Sequence, residues 1–440
     1  MSSNRICKLR TVDVRFPTSD QLDGSDAMNP DPDYSAAYTI LETEHGDAGY
    51  GHIFTIGRGT DLCCAAIEAM SHLVLGVDLE DIRKDPGGFY NRLRSDSQLR
   101  WLGPEKGVVH MAMGAVMNAV WDLWARTEGK PVWRLLTDMT PEEFVDCIDL
   151  RYLGDVLTRD EALAMVRANE ATKGQRAAEM ETHGYPCYTT SAGWLGYPDD
   201  KMRALCNAAV EKGFRHLKFK VGRDLEDDKR RLRIAREVLG PDVRLMIDAN
   251  QVWEVPEAIE WVLALAEFRP WFIEEPTSPD DVAGHRAIRE AIHPIGVATG
   301  EHCQNRVLFK QFIAGDALDV VQIDACRLAS LNEILAVYMV AAKFGKLVCP
   351  HAGGVGLCEY VQHLAMIDYT RISASIGDRV LEYADHLHEH FETPCEIRDG
   401  HYLAPQAPGF SVKMKATSVT DHTFPGGRIW RERAKAEGST

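Results

Sequence analysis

Seven residues whose side chains can move protons or hold cations recur at nearly even intervals. Lys218 and Lys220 come first, then Asp248, Glu274, Glu301, Asp324 and His351; from Lys220 onward the steps are 28, 26, 27, 23 and 27 residues. Asp248, Glu274 and Glu301 are hard-oxygen ligands. Brought to one point they repel one another unless a cation neutralises them, and Mg²⁺ favours such ligands while keeping positions open for substrate and water. Any one acid reads as well as a helix cap or a salt-bridge partner; three in register argue for a shared ion. Lys218 and Lys220, two apart on a strand, share one face. Their mutual repulsion and partial burial predict a depressed ammonium pKa and a neutral amine able to act as base. Asp324 and His351 form a carboxylate and imidazole pair, the acid fixing the ring's tautomer and raising its basicity. A bare KxK or a lone His is commonplace; their shared spacing with the acids makes them informative.

Each step is the length of one strand plus one helix. Strand-like runs occupy 186–190, 216–221, 244–248, 271–274, 295–299, 319–324, 346–351 and 379–383, with amphipathic stretches such as EDDKRRLRIAREVL between them. Strands alternating with helices require right-handed parallel crossovers, and eight of them close into a barrel whose C-terminal face carries the site. The expected fold is α/β: a (β/α)7β-type TIM barrel over 183–385, an α+β capping domain over 1–150, and a C-terminal segment, 386–440, returning to the capping domain. In the capping part, 6–14 and 37–42 read as strands, and 104–127 as a long helix that starts at Pro104 and Glu105 and stops before Gly129 and Pro131. Between the strands, FPTSDQLDGSDAMNPDPDY (16–34) is too long and turn-rich for a simple connection. It reads either as an active-site lid or as a surface excursion.

Composition sets the limits. The chain has 440 residues, 45% hydrophobic and 26% charged, the balance of a folded globular protein. Its net charge of −17, from 66 acidic and 49 basic residues, opposes binding to nucleic acid or anionic membrane. The apolar run at 108–121 is too short to span a bilayer, and MSSNRICKLRTVDVRF lacks a signal-peptide core, so a cytoplasmic location is expected. Eleven cysteines without a CxxC motif fit a reducing compartment, and adjacent Cys63 and Cys64 read as a packing coincidence. HLHEH (386–390) reads as a surface histidine cluster rather than a metal clip, and HAGGVG (351–356) as backbone that approaches a substrate oxygen rather than a phosphate cradle.

The residues in this order resemble the enolase superfamily, and within it the mandelate racemase-like subgroup. WDLWARTEGKPVWRLL (121–136) is similar to the end of that family's capping-domain helix, and IEEP (273–276) and TGE (299–301) to its ligand strands. Closer still, LRWLGPEKGVVHMA (99–112), YTTSAGWLGY (188–197), EEPTSPDD (274–281) and PHAGGVGLCE (350–359) resemble the L-fuconate dehydratases. The resemblance implies conversion of L-fuconate to 2-keto-3-deoxy-L-fuconate and water. Lys220 is then the base, His351 the acid, and Asp248, Glu274 and Glu301 the ligands of one Mg²⁺. It also implies substrate contacts at Gly24, Ser25, Asp26, Tyr34, Tyr185, Asn250 and Glu382. The expected ligand is a small-molecule acid sugar, and a homo-oligomer is expected. Ala329 and Ser330 depart from the family, standing where glycine-containing sequence is expected. A racemase or epimerase with two bases on one carbon, a dehydratase of another acid sugar, and a non-catalytic barrel scaffold are the rival readings.

Overall fold

A computed structural model describes residues 4–437. Near the N-terminus β1 (Ile6–Arg15), β2 (Ser35–Thr43) and β3 (Ala48–Thr55) form an antiparallel sheet in the order β1-β2-β3. The sequence reading lacks β3, because Gly49 and Gly51 break the apolar alternation that marks a strand. Packing explains these glycines. Strand β3 lies on the helix Gly107–Thr127, and a Cβ at Gly51 would stand 2.3 Å from the carbonyl oxygen of Ala115. A helix backbone cannot step aside cheaply, so Gly51→Ala is expected to destabilise the protein by about 1–3 kcal/mol. An unchanged denaturant midpoint would show that strand and helix do not pack this closely.

The same helix faces the barrel on its other side. Asn118 Nδ2 donates to the carbonyl of Ala325 at 3.1 Å, and Trp121 Nε1 to Asn332 Oδ1 at 3.1 Å. Buried between sheet and barrel, it is apolar nearly all round, as its sequence shows. No helix of the described residues is long and apolar enough to cross a membrane.

Eight parallel strands form the barrel: β4 (Tyr185–Thr189), β5 (His216–Lys220), β6 (Arg244–Asp248), β7 (Pro270–Glu274), β8 (Gly296–Thr299), β9 (Val320–Val321), β10 (Leu347–Val348) and β11 (Leu381–Tyr383). Helices fill the seven intervals between them. β11 pairs with β4, and the amide of Glu382 donates to the carbonyl of Pro350 across the remaining gap. The barrel interior holds Tyr188, Met246, Phe272, Ala298, Val320, Cys349 and Val380 as one apolar layer. β5 supplies Lys218 in register with Met246, so an ammonium sits at the level of that layer.

The runs predicted at 319–324, 346–351 and 379–383 end as much shorter strands, yet the backbone beyond them stays bonded. The amide of Gln322 donates to Thr299, that of Cys349 to Val321 and that of His351 to Ile323, each at 3.0 Å. Residues 151–182, assigned to neither expected domain, carry the helix Arg159–Glu170 and all but the last residue of the helix Lys173–His183. Thr158 and Glu161 start the first with reciprocal capping bonds.

After β11 the chain reaches the first sheet. Met414 N donates to the Tyr38 hydroxyl at 2.9 Å, Phe424 N to the carbonyl of Asp13 at 2.8 Å, and Trp430 Nε1 to that of Arg15 at 3.0 Å. The guanidinium of Arg15 lies over the Phe424 ring, 3.8 Å from its centroid.

Candidate active site

Strand register brings the acids and lysines together. Lys220 is level with Asp248, and Asp248 with Glu274, at the carboxyl ends of β5, β6 and β7. Glu301 follows β8, and Asp324 and His351 follow β9 and β10. A buried arginine holds the rim: Arg231 donates to the carbonyls of Lys220, Gly193 and Trp194 at 2.6–3.0 Å. Asn250, just beyond β6, adopts positive φ, a conformation that Asn tolerates better than most residues.

Asp248, Glu274 and Glu301 each offer a carboxylate oxygen within 4.8 Å of the other two. Glu301 Oε2 is buried and accepts no hydrogen bond, although His351 Nε2 stands 3.3 Å away. Burial and the charge of Asp248 push the Glu274 carboxyl up; burial and the neighbouring Glu275 push Glu301 up. Burial would raise Asp248 as well, but Lys220 and Lys218 outweigh it and hold that carboxyl low. Three buried hard-oxygen donors, one with a free lone pair, fit a small divalent cation.

The lysines are not the mutually depressed pair expected from their spacing. Lys218 Nζ lies 2.5 Å from Glu274, 3.0 Å from Glu382 and 3.1 Å from Asp248; Lys220 Nζ lies 2.6 Å from Asp248 and 2.8 Å from Asn250 Oδ1. Burial lowers both amines, and Lys218 lowers Lys220 further, yet the carboxylates prevail and hold both as ammonium ions. Repulsion from one cation is outvoted by several anions.

His351 Nδ1 is 2.7 Å from Asp324 Oδ2, and the other oxygen of Asp324 accepts from the amides of Cys326 and Arg327. Burial disfavours the imidazolium, but Glu301, the bond to Asp324 and the charge of Glu382 raise its pKa to about 10. Once neutral, the ring has a partner ready: the amide of Gly353 points at Nε2 from 3.2 Å. Glu382 in turn accepts from the amide of Ala352 at 2.7 Å.

Part of this constellation opens on a cavity of about 250 Å³, sized for a small polar molecule, whose lining does not include Lys218, Asp248 or Glu274. Lys220, Asn250, Glu301, Asp324, His351 and Glu382 line it from the barrel. Gly24, Asp26 and Tyr34 line it from the 16–34 segment, which is therefore a cover over the cavity and not a surface excursion. Asp26 accepts the amides of Met28 and Asn29, and a Cβ at Gly24 would strike the Tyr34 ring at 2.4–2.6 Å. The cover docks on the loop after β4 through Leu195 N to Ser25 O at 3.1 Å and Tyr197 OH to Asp23 at 2.5 Å.

Two expected contacts are corrected. Ser25 turns from the cavity, its hydroxyl donating to the carbonyl of Pro30. Tyr185 is the first residue of β4 and so lies at the amino end of the barrel, among Asp368, Arg379 and Cys349. Thr190 and Trp194, beyond the other end of that strand, line the cavity instead. Ser330 explains its departure from glycine: φ is +70°, a strained value for a residue with a side chain, and its buried hydroxyl donates to Asn118 Oδ1 at 2.6 Å.

Residues 201–418 match the Enolase C-terminal domain-like family. The L-galactonate dehydratase of Hypocrea jecorina is 56% identical over 431 residues, 97% of this chain and 95% of its own. The crystal structure of human Mitochondrial enolase superfamily member 1 aligns at a TM-score of 0.96 and 54% identity, covering 98% of this chain and 99% of its own. This chain belongs to the enolase superfamily. A racemase from Streptomyces coelicolor A3(2), solved with bound magnesium, has the same architecture at a TM-score of 0.72 and 25% identity, over 93% of this chain and 97% of its own. Within the superfamily site, sequence reasoning misses Trp194, His302 and Arg327, all of which line the cavity. His302 directly follows Glu301 and bonds Glu275 at 2.9 Å, so the signal stands next to a residue that the spacing does single out.

Proposed function

We propose that this chain is an acid-sugar dehydratase that uses Mg²⁺, with Lys220 taking the C2 proton and His351 giving a proton to the departing 3-hydroxyl. The observation that carries the reading is that an amine and an imidazolium reach one cavity from separate strands beside three converging carboxylates. Asp248, Glu274 and Glu301 would hold the metal, which supplies positive charge against the substrate carboxylate and against the charge that develops on it. With Asp248 and Glu301 so neutralised, burial and Lys218 favour the neutral base, opposed by the charge of Asp26. Lys220 removes the C2 proton, and the electron pair moves onto the substrate carboxylate. His351, held as imidazolium by Asp324 and Glu382, protonates the 3-hydroxyl, which leaves as water. The resulting enol tautomerises to the 2-keto acid.

L-fuconate is the proposed substrate, with L-galactonate beside it. L-fuconate is the 6-deoxy form of L-galactonate, so the two present the same stereocentres to the base and acid. The Hypocrea relative supports that configuration. Phe54, Met111 and Trp194 on the cavity wall support a substrate with an apolar terminus. Asp26 and Tyr34 in the cover are proposed to select the sugar rather than take part in proton transfer. The test is a panel of acid sugars incubated with Mg²⁺ and assayed for 2-keto-3-deoxy products. Turnover is expected with L-fuconate and L-galactonate, abolished by EDTA and restored by Mg²⁺. Full activity in verified metal-free protein, or no 2-keto product from any acid sugar, would overturn the reading.

A further inference from the structure

A second set of ligand-type side chains gathers away from the three carboxylates. Cys358 and Glu359 begin the helix Leu357–Ile367, while His388 and Cys395 lie in the segment after β11. One ligand atom from each of Cys358, His388 and Cys395 lies within 4.8 Å of the other two. His388 Nδ1 stands 3.5 Å from Cys395 Sγ and 2.8 Å from Glu359 Oε1. HLHEH is thus no surface cluster. His388 is turned inward, and both cysteines and Glu359 are buried.

The imidazole is oriented as a ligand is oriented. His388 Nε2 donates to the carbonyl of Ala384 at 2.8 Å, which leaves the Nδ1 lone pair directed at the thiols and the carboxylate. Tyr383 stacks on the ring with planes 4° apart, fixing its rotation. Glu359 Oε2 is buried without a hydrogen-bond partner, and the Cys358 thiol faces Cys395 and the carbonyl of Ala352, the latter at 3.5 Å.

We propose that Cys358, Cys395 and His388 Nδ1 form a three-ligand site for Zn²⁺ that leaves the fourth tetrahedral position open. Two thiolates and an imidazole are soft and borderline ligands that favour Zn²⁺, whereas Mg²⁺ requires hard oxygen. The chain then sorts two metals by ligand chemistry alone. Zinc uptake by the thiols releases their protons. The site joins the helix that follows the His351 loop to the segment that follows Glu382. Zinc there acts as a clip that positions those two loops without touching substrate.

Cobalt substitution tests the assignment on the full-length protein. Co²⁺ bound by thiolates in tetrahedral geometry is expected to give near-ultraviolet thiolate-to-metal charge transfer and strong visible bands. Co²⁺ at Asp248, Glu274 and Glu301, an all-oxygen set, gives no charge transfer, so the two sites are read separately. Metal analysis of protein purified with Mg²⁺ and without chelator is expected to find one zinc per chain. The double substitution Cys358→Ser, Cys395→Ser is expected to lose both zinc and the charge-transfer band. If that variant does not fold, titration of the wild-type protein with Co²⁺ alone decides. A wild-type spectrum without charge transfer, a band that survives the double substitution, or a Cys358–Cys395 disulfide peptide in unreduced protein would overturn the site.

Discussion

Replacing His351 with asparagine is expected to cut dehydration by about 10²–10⁴-fold, the usual worth of a positioned general acid, while leaving exchange of the C2 proton with solvent. The substituted amide would have no acidic proton to give the departing hydroxyl, but Lys220 and the carboxylates lie on other strands and keep their contacts. NMR in D₂O reads both steps at once: deuterium should enter C2 of the acid sugar without a matching rise in 2-keto product. Native-level 2-keto product from the variant would remove His351 from the leaving-group step. Accumulation of the 2-epimer by the native protein, with no keto acid, would replace the dehydratase with an epimerase.

Lys220→Ala is expected to fail earlier. Without the amine neither C2 exchange nor dehydration proceeds, and kcat should fall by about 10²–10⁴-fold. The carboxylates should still take up a divalent cation, because Lys218 remains against Asp248 and Glu274 to limit their repulsion. Mn²⁺ binding followed by electron paramagnetic resonance checks this independently of turnover. A variant with a raised KM and native kcat would make Lys220 a substrate-binding residue rather than the base.

Much of this site is legible in the chain because a barrel converts spacing into position. Asp248, Glu274 and Glu301 recur once per strand and helix, and strand register then sets Lys220, Asp248 and Glu274 side by side. Legibility fails where position depends on partners far away in sequence. β3 is hidden by Gly49 and Gly51, whose reason is the helix beginning at Gly107. The charge state of Lys220 is misjudged from sequence because Lys218 is visible two residues away, whereas the anions that prevail come from other strands. Tyr185 falls at the other end of its strand from the cavity, since a motif match carries no strand direction. Cys358 and Cys395 lie in segments separated by β11, with nothing between them to announce that they meet.

The sheet at the start of the chain is completed by the segment near its end: Trp430 bonds Arg15 across 415 residues. On a ribosome adding about 5–20 residues per second, β1 waits roughly 20–80 s for that partner. Throughout that interval its edge is without the cover it has in the finished protein, and the whole barrel is made in between. Synthesis therefore leaves the capping sheet as the last part to be sealed. A truncation near residue 420 would release a chain with every barrel strand present and its first sheet still open to pairing with another molecule.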